Sequence, residues 1–262
     1  MDTIIPLGSA GADLRPTSDA AAPPRSPRLA SYLFAAGAAA AVIAGIAGEA
    51  LHGTFAAPRE LIETVDLGIG ARLSYEQAVA RIKNATLASA VLGGVLGLTM
   101  GAAGGAAARS RRRAMVAGSV GLILGAAVGG QAAWALTPFA DANRVRASDD
   151  LGYAILMHGA VWGAVGATAG LAFALGRGGG WKLMLRAALG GLIGALGGTV
   201  AYDLIGAAAF PMAETWSVLA QSPAARSIAY PCVAICASLG IAASLGVVAR
   251  RPEMQGHIAS AS

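Results

Sequence analysis

The sequence predicts an all-α protein, a polytopic transmembrane helix bundle of about six spans, and three observations lead to that fold class. Only 13% of the 262 residues are charged and 56% are hydrophobic, whereas a soluble domain usually carries about 25% charged residues. Several uncharged runs are long enough to cross a hydrocarbon core, which takes about 20 residues. Within those runs glycine recurs at a regular, helical spacing.

The spacing of glycine predicts helices that pack closely against one another. Inside a water-exposed helix, glycine is unfavourable by about 1 kcal/mol relative to alanine. Helices in lipid instead associate through close backbone approach, which small residues permit. We therefore expect glycine-zipper packing. The predicted packing positions are Gly93, Gly97, Gly101, Gly105, Gly121, Gly125, Gly129, Gly190, Gly194 and Gly198.

The predicted spans follow one another as six apolar segments. They cover residues 29–51, 85–108, 114–138, 151–176, 183–210 and 227–249. Residues 1–27 lack the basic and then apolar pattern of a signal peptide, and their composition predicts a disordered cytoplasmic tail. Residues 28–250 then form one transmembrane domain, and residues 251–262 form a short cytoplasmic tail.

Two connections carry local signals. Ser74 and Gln77 have the spacing of a capping box, with Ser74 as the N-cap. The helix that begins there is predicted to run unbroken into the second span, so that its first turns project beyond the hydrocarbon. Residues 212–221, which include Trp216, are predicted to lie in the membrane interface.

The distribution of charge predicts the orientation of the bundle. Twelve of the 19 basic residues fall in the two tails and in the connections after spans two and four, whereas most acidic residues fall in the other connections. The positive-inside rule then predicts a multi-pass protein of the cell (inner) membrane with both termini in the cytoplasm. The arginines of the turn at 109–113 are interpreted first as topology determinants, and contact with anionic lipid is a second role for them.

A shift of 69 residues superposes two predicted hairpins. Gly97 then falls on Gly166, Gly121 falls on Gly190, and Arg113 falls on Lys182. This match predicts an internal repeat with units at about 85–138 and 151–210, both of the same topology. The alternative is composition alone, because glycine-rich runs match one another easily.

Three ionisable residues are the candidate functional residues, because charge within a span costs about 2.5–3.5 kcal/mol and usually marks function. Asp203 and His158 lie inside spans at similar predicted depth, and Glu49 lies near the outer end of the first span. Together they are a possible polar or proton-relay cluster. Alternatively, His158 and Asp203 lie near the headgroups and Glu49 pairs with an arginine at the rim. The arginines available there are Arg144, Arg146 and Arg226. The repeat matches His158 with Ser89 and Asp203 with Trp134, so that any site is asymmetric.

Chemical signatures are otherwise few. The sequence contains no catalytic motif and no cluster of metal-ligand type, so we expect neither enzymatic activity nor a metal or cofactor. Cys232 and Cys236 lie one turn apart in an apolar stretch and are interpreted as small packing residues. Aromatic residues make up only 5% of the chain, and the basic residues cluster at helix ends, which argues against nucleic acid as a partner.

The sequence therefore favours a non-enzymatic structural or interaction subunit of a membrane. Its expected partners are the lipid bilayer and either another membrane protein or further copies of the same chain. The competing hypothesis is a small transporter or an ion- or proton-conducting protein that uses Glu49, His158 and Asp203.

Overall fold

The structure, a computed structural model, describes residues 27–56, 67–143, 150–210 and 217–246. These residues contain six helices and no strand. The helices are α1 (Pro27–Leu51), α2 (Leu67–Ala107), α3 (Arg111–Ala142), α4 (Leu151–Arg177), α5 (Trp181–Ala209) and α6 (Pro223–Ser244). Each is long and apolar enough to cross a membrane, which confirms the predicted all-α fold of about six spans. Apart from Pro27, the predicted tails lie outside the described residues, as does Trp216.

Consecutive helices run in opposite directions, so that the bundle has two ends of different charge. We call one of them the basic end. It holds the α2–α3 and α4–α5 turns, with Arg109, Arg111, Arg112, Arg113, Arg177, Lys182 and Arg186 around them. The opposite end is the acidic end. All acidic residues that the structure describes lie at it or in the helical turns next to it, namely Glu49, Glu76, Asp141, Asp150 and Asp203.

Helix α2 is longer than its span. It begins at Leu67, so the prediction of an N-cap at Ser74 is wrong: the residues before Ser74 continue the helix instead of breaking it. At 1.5 Å per residue its 41 residues extend about 60 Å, twice the thickness of a hydrocarbon core. Two contacts attach the projecting part to its neighbours. Arg81 binds Asp141 of α3 at 3.2 Å, and Asn84 Nδ2 donates to the carbonyl of Phe55, after α1, at 2.8 Å.

The first hairpin, α2–α3, is held by backbone against backbone. A Cβ atom added at Gly93 would collide with the carbonyl oxygen of Gly125, and one added at Gly97 would collide with that of Gly121. Gly101 meets the backbone of Ala117 in the same way. Two helices can approach this closely only where glycine lies on one side of the contact and glycine or alanine on the other, and the close approach gains many dispersion contacts.

The second hairpin uses its glycines differently. Helices α4 and α5 meet where Gly166 lies against the Gly191 carbonyl and where Gly170 lies against the Ala187 carbonyl. The stripe on α5 faces α6 instead of α4. Its contacts are Gly190 with Gly240, Gly194 with the Cys236 carbonyl, and Gly198 with the Cys232 carbonyl. Both cysteines are free thiols whose backbone supports this interface.

Helix α4 occupies the centre of the bundle. It contacts α2, α3, α5 and α6, and 72% of its membrane window is buried, against 33–56% for the other spans. Most side chains of α4 therefore face protein, although Leu156 and Leu175 remain exposed. This position determines the environment of His158.

Candidate functional site at the acidic end

His158 and Asp203 form a buried pair between α4 and α5. The Nδ1 atom of His158 lies 2.8 Å from Oδ1 of Asp203, and its Nε2 atom lies 2.9 Å from the backbone carbonyl oxygen of Ser217. The imidazole is fully buried and Asp203 is 3% exposed. The pair forms because α4 enters the bundle at the acidic end and α5 leaves it there, which brings the two residues to the same depth.

The two contacts of His158 define where its protons lie. A backbone carbonyl only accepts, so Nε2 donates to Ser217. Nδ1 and the Asp203 carboxyl group then share one proton: either an imidazolium faces a carboxylate, or a neutral ring accepts from a protonated carboxyl group. Both forms have no net charge, and this avoids the cost of a lone buried ion.

Two aromatic rings enclose the imidazole. Trp162, one turn further along α4, stacks on His158 with ring centroids 4.8 Å apart, and Tyr202 meets it edge-on at 5.5 Å. The remaining carboxyl oxygen of Asp203, Oδ2, is buried and has no hydrogen-bond partner among the described residues. The pair is therefore buried among aromatic rings, and the described residues leave one of its oxygens without a hydrogen bond.

Glu49 forms a second pair, with Arg226 of α6. Nε of Arg226 donates to Oε1 at 2.7 Å and Nη2 donates to Oε2 at 2.8 Å, a bidentate geometry. The guanidinium also donates through Nη1 to the carbonyl oxygens of Ala220 and Gln221, at 2.9 and 2.7 Å. The Arg226 side chain is 4% exposed and that of Glu49 is 37% exposed, so the charge of Arg226 is compensated inside the protein while Glu49 remains in contact with the surroundings.

Both pairs hold the same piece of chain, residues 217–221, which we call the clamped segment. Its backbone is not helical, yet Val218 and Ala220 are buried. Non-helical backbone within a bundle is stable only where protein groups satisfy its carbonyls and amides. His158 satisfies the carbonyl of Ser217, and Arg226 satisfies those of Ala220 and Gln221.

The clamped segment lines two cavities, and Leu219 borders both. The smaller cavity has about 30 Å³, room for one or two water molecules, and its lining includes Trp162, Tyr202 and Arg226 together with Val218 and Ala220. The larger cavity has about 120 Å³ and is polar. Its lining includes His52, Arg81, Asn84 and Thr137 together with Ser217 and Gln221. Burial and the nearby Arg226 lower the pKa of His52, against the opposing effect of Glu49, so His52 is neutral at pH 7.

The structure thus brings two of the three predicted residues into direct contact. His158 and Asp203 meet, whereas Glu49 binds Arg226, one of the arginines considered for it from the sequence. The burial of Arg226 and the role of the Ser217 carbonyl were missed. Trp162, one turn from His158, was a signal for the aromatic cover of the imidazole only. A backbone acceptor has no signal in the side-chain sequence.

No metal-type cluster accompanies the two pairs. Within the described ranges, no three His, Cys, Asp or Glu side chains are close enough to hold a metal ion together. No family model, curated protein or solved structure matches the chain.

Proposed function

We propose that the protein is a non-enzymatic subunit of the cell membrane that presents a fixed surface at its acidic end to another membrane protein or to a second copy of itself. The proposal includes the orientation in which the basic end and both termini are cytoplasmic, as the positive-inside rule predicts. The helices of this subunit pack through close backbone contacts at the glycines.

The observation that supports this function is that the buried polar groups form their hydrogen bonds within the same chain. Both ring nitrogens of His158 and four N–H bonds of Arg226 are occupied by atoms of the same chain. Groups arranged in this way stabilise the clamped segment and leave few free donors for a substrate. Partly exposed Glu49 and the outer face of the segment are what a partner would meet.

A flux measurement tests the proposal. The purified protein is placed in liposomes that contain a pH-sensitive dye, and a proton gradient is imposed. We expect no proton flux above that of empty liposomes, and an unchanged result for the Asp203→Asn variant. A flux that the wild type supports and this variant abolishes would overturn the proposal in favour of conduction.

A second candidate function, proton-linked transport, is favoured by one specific observation. The clamped segment borders both cavities, and His158, which binds its Ser217 carbonyl, shares a proton with Asp203 through its other ring nitrogen. If that proton leaves, the neutral ring keeps a single hydrogen. It can donate this hydrogen to the Ser217 carbonyl or to Asp203, but not to both. Loss of one proton therefore weakens the clamp or the pair, which would couple proton release to opening between the cavities.

The Asp203→Asn variant distinguishes the two functions at the segment itself. The amide can donate to Nδ1 while Nε2 still donates to Ser217, so both contacts persist without the shared proton. A nitroxide on Leu219→Cys, in a background that lacks Cys232 and Cys236, reports the mobility of the segment. Proton-linked transport predicts that an imposed proton gradient mobilises the label in the wild type and not in Asp203→Asn. The subunit proposal predicts an immobile label in both proteins, with or without the gradient.

Orientation has its own test. Single cysteines are introduced at Ser110 and at Ala147, between α3 and α4, in a variant that lacks Cys232 and Cys236. Intact cells that make these variants are then treated with an impermeant thiol reagent. We expect Ala147→Cys to react from outside and Ser110→Cys to react only after the membrane is opened. The reverse pattern would invert the proposed orientation.

A further inference from the structure

A groove opens between α3 and α4 at the basic end. Its head is lined by Ser110, Arg112 and Arg113, and its walls are apolar. The wall residues include Val116, Val120 and Leu175. The groove has about 570 Å³, within the range of small-molecule sites. Val116 is 57% exposed and Leu175 is 37% exposed, so the walls open sideways, where the surroundings of a membrane-spanning helix are lipid.

No acidic side chain of the described residues balances the charge at the head of the groove. Among the described residues, neither Arg112 nor Arg113 has an ion pair or a side-chain hydrogen bond, and the acidic residues of these ranges belong to the opposite end of the bundle. The guanidinium of Arg113 lies across the turn from α3 against Gly178, so closely that a Cβ atom there would collide with it. The positive charge of Arg113 therefore lies at the head of the groove.

The length of the groove matches one lipid leaflet. Ser110 and Val120 are ten residues apart along α3, which corresponds to about 15 Å of helix. Half of a hydrocarbon core of about 30 Å is the same distance. A ligand with a negative head beside the arginines would therefore extend an apolar chain from the interface towards the middle of the membrane.

We propose that this groove is a binding site for an anionic phospholipid. The phosphate binds Arg112 and Arg113, with the Ser110 hydroxyl lining the same head region, and one acyl chain lies along Val116, Val120 and Leu175. The charge excludes a zwitterionic lipid as the preferred occupant, because its cationic head would meet the two arginines. The apolar walls exclude a free phosphate ion, which would leave them uncovered.

The test compares lipids that differ only in the headgroup. The full-length protein in mild detergent is titrated with phosphatidylglycerol or with phosphatidylcholine of the same chains, and the bound fraction is measured by native mass spectrometry. We expect phosphatidylglycerol to bind with the higher affinity. Arg112→Gln with Arg113→Gln should weaken it roughly 30-fold, given the contribution of each arginine at a membrane surface. Equal binding of the two lipids would overturn the proposal.

Two matched controls separate the groove from the general charge of this end. Arg109→Gln with Arg111→Gln removes the same charge from the same turn but from residues that do not line the groove. Val116→Trp fills the groove without changing charge, and Met115→Trp places the same ring on the neighbouring exposed position. We expect the arginine control and Met115→Trp to bind lipid as the wild type does, and Val116→Trp to lose binding.

Each other pattern would contradict the site. Equal losses in the two arginine pairs would mean a diffuse surface potential, and unchanged binding in Val116→Trp would mean that no chain occupies the groove. Competition by soluble glycerol phosphate as effective as by the lipid would mean an ion site without an acyl chain. Unfolding temperatures in lipid-free detergent, expected to be unchanged, show that each variant is folded.

Discussion

The two hairpins, α2–α3 and α4–α5, share a turn but differ in the register of the helix after the turn. In the first turn Arg109 is left-handed, with φ of +54°, and in the second Gly178 is left-handed, with φ of +73°. Ser110 N donates to Gly105 O, and Gly179 N donates to Ala174 O. Each atom of the second motif is 69 residues after its counterpart.

After the turn the spacing becomes 70 residues. Helix α3 begins at Arg111 and α5 begins at Trp181, so the second turn contains one more residue. Gly97 meets Gly121 in the first hairpin, and Gly166 meets Gly191 in the second. One residue is 100° of helix rotation. The glycines of α3 and α5 that the 69-residue shift matched therefore lie on different faces and contact different neighbours.

This difference shows that the neighbours of a helix determine which of its small residues form contacts between helices. Helix α5 lies between α4 and α6 and needs two narrow faces, one for each neighbour. The face with Ala187 and Gly191 serves α4, and the stripe that begins at Gly190 serves α6. In α3, Gly121 serves both neighbours, since its added Cβ would meet Gly97 of α2 and Ala172 of α4.

The largest expected effect comes from bulk at the two interfaces. Gly125→Leu should force α2 and α3 apart, and Gly194→Leu should force α5 and α6 apart. Each should lower the free energy of unfolding by about 3 kcal/mol or more, because the obstacle is backbone that cannot move aside. Thermal unfolding in detergent measures both. Gly197→Leu is the matched control, since nothing lies within 4 Å of its added Cβ. An equally large loss of unfolding free energy in Gly197→Leu would mean that any large side chain destabilises the helix, whether or not it faces another helix.

A smaller effect is expected from the His158–Asp203 pair, measured in a double-mutant cycle of the two alanine variants. Removal of one partner leaves the other buried without its hydrogen bond, so the double variant should be less damaged than the sum of the singles. We expect a coupling of about 0.5–3 kcal/mol in the free energy of unfolding. Additive losses would mean that the pair contributes no stability of its own.

The first hairpin offers a way to sharpen that result. The 70-residue spacing matches Asp203 with Ala133, which is fully buried, whereas the 69-residue shift matched it with Trp134, which is 60% exposed. Ser89→His should couple to Ala133→Asp by more than about 0.5 kcal/mol and should be additive with Trp134→Asp. The same unfolding assay decides between the two spacings. Coupling of Ser89→His to Trp134→Asp would instead favour the 69-residue spacing predicted from the sequence.

The smallest effect is expected at the turns. A side chain in a left-handed conformation costs about 1–2 kcal/mol, so Arg109→Gly should raise the free energy of unfolding by roughly 1 kcal/mol. Gly178→Ala should lower it by about that amount or more, since the new Cβ also meets Arg113. Gly180→Ala is the control, with an ordinary φ and open space. Equal responses at Gly178 and Gly180 would contradict the shared turn.

The sequence predicted those features that the bilayer itself imposes. Span number follows from apolar length, and the common depth of His158 and Asp203 follows from counting along antiparallel helices. The extra residue of the second turn was invisible, because it lies within a run of three glycines at 178–180 that permits several turns. The burial of Arg226 was equally invisible, since it depends on carbonyl groups of the clamped segment and not on side-chain type.

The pairing of Glu49 with Arg226 joins α1 to α6, and this has a consequence for the order in which the bundle assembles. The two residues are 177 positions apart. At a translation rate of about 5–20 residues per second, Arg226 follows Glu49 out of the ribosome by roughly 10 to 35 seconds. During that interval Glu49 lacks Arg226 as its partner. The clamped segment can therefore be fastened only after α6 has been made, so that the acidic end closes late in assembly.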